Sequence, residues 1–135
     1  MRAIDAKILD ELGMVYGDKN CFASLRDWFE TAKVYWTNLE RLFTVADYAK
    51  KHDLSVAEKI DTYRKRIIEL FHQTKDYASL WNSKQKEKHE LSTYDYTQAT
   101  NENWDALDNW TVSQEKLQET ILEFIKILYS VVSKP

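Results

Sequence analysis

The chain has 135 residues, a formal net charge of −3, two glycines and one proline, against about 9 glycines and about 7 prolines at average usage. Gly13 and Gly17 lie near the start and Pro135 is terminal, so from Asp18 to Lys134 no residue readily takes positive φ and none breaks a helix. Sheets and barrels, which need many tight turns, are disfavoured, and the Gly-rich phosphate cradles of dinucleotide and P-loop sites are excluded.

The opening segment, with Ile4, Ile8, Leu12 and Val15, predicts a short helix closed near Gly17. From Phe22 the series Phe22, Leu25, Phe29, Ala32, Trp36, Leu39, Phe43 and Ala46 alternates steps of three and four, which predicts a helix with a broad buried face. A break follows at Lys51, His52 and Asp53. Ser55 and Glu58 then have the spacing of a capping box. The next helix runs through Val56, Ile60, Tyr63, Ile67, Leu70, Thr74, Tyr77 and Trp81, and its heptad rhythm calls for a partner face close by. Residues 82–90 are polar and fit either a solvated helical extension or a loop.

The last periodic run is Leu107, Trp110, Gln114, Leu117, Ile121, Phe124, Leu128 and Val131; Ser92, Thr93 and Thr111 are all able to cap its start. The expected fold is all-α. Residues 1–135 form a single domain, an antiparallel helical bundle of three long helices plus a shorter N-terminal helix. Charge is mildly basic over 54–91 and acidic over 92–135, which favours pairing of the last two helices.

The lone Cys21 forms no internal disulfide and makes no cysteine-based zinc site, so a reducing, cytoplasmic setting is expected. The start of the chain has no apolar core of a secretory signal, and no membrane role is expected. His52, His72 and His89 form no Glu-x-x-His or His-Glu-x-x-His group, and neither metal nor cofactor is expected.

Aromatic residues reach 13%, with 5 Trp and 8 Tyr. Trp28, Trp36, Trp81 and Trp110 sit on periodic faces and fill the core. Tyr94, Tyr96 and Trp104 are different, because they stand among Asp, Asn and Thr between residues 92 and 105. Tyrosine and tryptophan lose little rotamer freedom on binding, so these three are the candidate contacts to a partner. The leading functional expectation is a small non-enzymatic bundle that binds another protein, as an adaptor, inhibitor, immunity-like antagonist or small subunit of a complex.

A second reading starts from Arg66 and His72. An arginine that holds phosphate and a histidine that moves a proton suit metal-free RNA cleavage if they share a groove. The spacing is similar to the Arg, four to six residues, His motif of HEPN-family helical domains. That resemblance implies a dimeric ribonuclease with Arg66 and His72 as its catalytic pair, although Ile67 stands where the family commonly has Asn after the arginine. A third reading takes Arg64, Lys65 and Arg66 as a phosphate-binding strip in a nucleoprotein assembly. The net negative charge and the interleaved Glu69 and Asp76 favour a solvated face instead.

Overall fold

Four helices follow one another: α1 (Ala3–Gly17), α2 (Leu25–His52), α3 (Ala57–Glu87) and α4 (Thr93–Val132), with a short 3-10 turn at Leu54–Val56 leading into α3. This is a computed structural model that describes residues 2–18, 21–22, 25–87 and 93–133, leaving out the side chains of 26, 27, 29, 30, 84–87 and 93–103. Among the described residues there is no strand, and the all-α bundle expected from periodicity is the observed one.

Helices consecutive in the chain run antiparallel, as the side-chain partners show. Arg41 of α2 meets Glu11 of α1 at 2.6 Å, and Arg2, just before α1, lies over the Tyr48 ring at 3.9 Å. Lys50 and Asp47 of α2 bind Asp61 and Arg64 of α3. Tyr63 and Thr74 of α3 bind Glu123 and Ser113 of α4. At about 1.5 Å per residue the 40-residue α4 is about 60 Å long, and with α3 it makes the most extensive helix pair.

The core is one continuous cluster. Leu9, Leu12 and Tyr16 from α1, Leu39, Leu42 and Val45 from α2, Ile60, Ile67 and Leu70 from α3, and Leu117, Ile121 and Phe124 from α4 are all buried. These residues recur at three and four positions because that spacing returns a side chain to one helix face. Hydrophobic burial of such stripes supplies most of the stability of helices in water.

Three local expectations are corrected. Helix α2 begins at Leu25 rather than Phe22, yet Phe22 is still buried, in the preceding turn, with its ring 5.8 Å from Tyr16 and 5.2 Å from Tyr35. The capping group before α3 is Asp53 rather than Ser55. Its carboxylate accepts from the Ser55 backbone N–H at 3.0 Å and from the Ser55 hydroxyl at 2.6 Å, so that hydroxyl serves as a donor and an extra 3-10 turn forms. Thr111 caps nothing, because α4 has already started at Thr93; mid-helix, its hydroxyl donates back to the Leu107 carbonyl at 2.9 Å.

The polar stretch after Trp81 continues α3 as far as Glu87, while 88–92 lie outside the described residues. Helix α1 stops at Gly17 against α4, where the Gln118 side-chain amide donates to the carbonyls of Tyr16 and Asp18 at 2.7 and 2.8 Å. These carbonyls are the acceptors that a helix end leaves unsatisfied. Charge pairing follows a different seam from the expected one. Among the described residues, the ion pairs between helices join α2 to α1 and to α3, whereas α3 and α4 meet through apolar packing, the Tyr63–Glu123 hydrogen bond and the buried Thr74–Ser113 hydroxyl pair.

Candidate functional site

The three expected contacts fall on the first half of α4. The side chains of Tyr94 and Tyr96 lie outside the described residues. Trp104 is 59% exposed, while Trp28 is at 0%, Trp110 at 6%, and Trp36 and Trp81 are half-buried. One tryptophan of five therefore faces solvent, held on a regular helix that fixes its backbone.

Arg66 and His72 lie on different sides of α3. Six residues at about 100° each place two side chains about 120° apart around a helix axis, and the neighbours reflect that. Arg66 lines a shallow cleft of about 250 Å³ with Thr62 and Tyr63 of α3 and Thr120 and Glu123 of α4. His72 faces α2, its ring 6.0 Å from that of Trp36. Among the described residues, the cleft at Arg66 and the cleft at His72 have no lining residue in common. In the first cleft the Tyr63 hydroxyl donates to the Glu123 carboxylate at 3.2 Å, and partial burial with the nearby negative charge raises the phenol above its ordinary value.

The Arg64-Lys65-Arg66 run is divided in the same way. The Arg64 guanidinium lies 4.8 Å from the Phe43 ring centre and binds the Asp47 carboxylate at 2.6 Å, which commits it to α2. Lys65 and Arg66 are exposed. Consecutive helical residues point about 100° apart, so three adjacent cations do not form a strip along one face.

Sequence reasoning missed a cleft of about 450 Å³ between α2 and α3. Trp28, Ala32 and Trp36 of α2 and Phe71 of α3 line it, with Lys33, His72 and Lys75 alongside. The Phe71 ring is the hinge of this aromatic group, 5.5 Å from Trp28 and 5.0 Å from Trp36 and tilted to both. Such tilted contacts are a preferred aromatic arrangement. The Trp28 indole N–H is buried and has no acceptor among the described residues. The available signal was the 28, 32, 36 spacing followed by Phe71-His72 and Lys75, but α2 and α3 must be laid together before those positions meet.

Among the described residues no three His, Cys, Asp or Glu side chains are grouped to hold a metal ion, and no helix is long and apolar enough to cross a membrane. Comparison with protein-family models, with curated proteins and with solved structures gives no match.

Proposed function

We propose that this chain is a non-enzymatic helical bundle that works by binding another protein, with the first half of α4 as its contact surface. The observation that carries the reading is Trp104. A tryptophan left 59% exposed on a rigid helix, in a molecule that buries or half-buries its other four, is the residue type that dominates binding hot spots. The surrounding Asp95, Glu102, Asp105 and Asp108 give the segment an acidic character, which selects a basic partner surface. The ribonuclease reading draws no support from a shared groove, since Arg66 and His72 stand in separate clefts.

The test places a photo-crosslinking amino acid at position 104, and for comparison at the exposed position 65, in cells that make the protein. The proposal expects a specific adduct from position 104 alone, and loss of affinity for that captured protein when Tyr94, Tyr96 and Trp104 are all changed to Ala. Trp104→Ala by itself should alter stability by less than about 0.5 kcal/mol, as for an exposed side chain. Unchanged affinity in a folded triple variant refutes the assignment.

A further inference from the structure

The α2–α3 cleft is a second candidate site, independent of the Trp104 surface. Its walls are aromatic and aliphatic: Trp28, Ala32, Trp36 and Phe71. Among the described residues, the charged lining side chains are Lys33 on α2 and Lys75 on α3, one from each wall, and none of the lining residues is acidic. Neither lysine belongs to any ion pair between described side chains. The volume of about 450 Å³ falls within the range of small-molecule sites. Such sites combine an apolar body with a few polar groups that orient the ligand.

We infer that the cleft between α2 and α3 binds a small aromatic carboxylate, its ring against Trp36 and Phe71 and its charge between Lys33 and Lys75. The apolar walls select the ring. Trp36 and Phe71 are tilted by 53°, an open angle that offers a planar guest one face to stack on and one edge to meet. The two ammonium groups select the charge, because opposite walls of like sign, with no carboxylate among the described lining residues, leave a position that favours an anion. The Trp28 indole N–H, a buried donor with no acceptor among the described residues, belongs to the same wall.

The experiment follows the five indole N–H signals of the 15N-labelled full chain, assigned through the backbone, during titration with naphthalene-2-carboxylate. Saturable shifts are expected at Trp28 and Trp36 and not at Trp104. Neutral 2-naphthamide should bind several-fold more weakly and acetate should produce no saturable shift. Lys33→Gln with Lys75→Gln changes two exposed side chains and should weaken the carboxylate about tenfold. Ala32→Trp, which fills the cleft, should abolish the response while far-ultraviolet dichroism stays that of the parent. Equal affinity for acid and amide overturns the charge assignment, and shifts confined to Trp104, or no saturable shift, overturn the site. The same chemistry belongs to a free aromatic acid and to the aromatic C-terminus of a peptide. Tighter binding of Gly-Gly-Trp than of naphthalene-2-carboxylate assigns the cleft to a chain end, and the reverse order assigns it to a free acid.

Discussion

Thr74 and Ser113 form the polar contact inside the α3–α4 seam, and their protons can be assigned. Both are buried, and their oxygens lie 2.7 Å apart. The Thr74 hydroxyl has one proton, which goes to the Leu70 carbonyl at 2.7 Å; Ser113 is therefore the donor to Thr74. Thr74→Val keeps the shape and leaves the Ser113 hydroxyl buried without its acceptor. An unsatisfied buried polar group costs about 1–3 kcal/mol, and the added methyl returns about 0.8 kcal/mol. A net loss of about 1 kcal/mol is expected, equivalent to about 3–5 °C in Tm for a chain of this size. Ser113→Ala removes the donor and leaves Thr74 satisfied by Leu70, so it should cost about 0.5–1 kcal/mol. In the Ser113→Ala background the Thr74→Val change should then cost almost nothing, giving a coupling of about 1 kcal/mol. Urea unfolding of the four proteins measures this cycle. Equal costs for Thr74→Val in both backgrounds would refute the proton assignment.

Two titratable groups give further tests. Glu11 is held below its ordinary value of 4.5 by the hydrogen bond from Arg41 and by that residue's charge. Its stabilising contribution is present above pH 4.5 and is lost as pH falls through the lowered folded value, so the acid limb of Tm against pH should be steeper in the parent than in Arg41→Gln. Parallel limbs below pH 4.5 would remove this linkage. Burial, with a smaller effect of Asp18, pushes the Cys21 thiol from 9.0 up to about 11. Its contribution to stability is complete below pH 9.0 and is lost as pH rises toward about 11. Iodoacetamide at pH 9.0 should alkylate Cys21 in the folded protein tens of times more slowly than in urea, since the thiolate is the reacting form. Equal rates would contradict the shielding of this thiol.

Together these features separate two kinds of surface on one bundle. The exposed Trp104 stands on the half of α4 whose sequence is acidic, whereas the α2–α3 cleft is concave and flanked by lysines. The core beneath them is common to all four helices. Replacing Trp104 therefore leaves the packing intact, while Trp28 belongs to both the core and the cleft wall.

The sequence by itself determined that three long helices and a short one form and which faces they bury, but not where α2 and α4 begin. Helical periodicity is local: Ile60, Ile67, Leu70 and Thr74 return to one side of α3 whatever lies opposite. The same local rule exposes Trp104, which falls outside the stripe of Ala106, Trp110 and Leu117. It also carries the angle that separates Arg66 from His72, since six residues do not close whole turns. Tertiary structure decided what the stripes meet. Trp36 looks like core along its own helix and is half-buried because α3 offers Phe71 and His72 beside it. Arg64 looks like one of three free cations until Asp47 and Phe43 of α2 face it. A cleft and an ion pair between helices are properties of two surfaces together, and each surface is written in a separate stretch of chain.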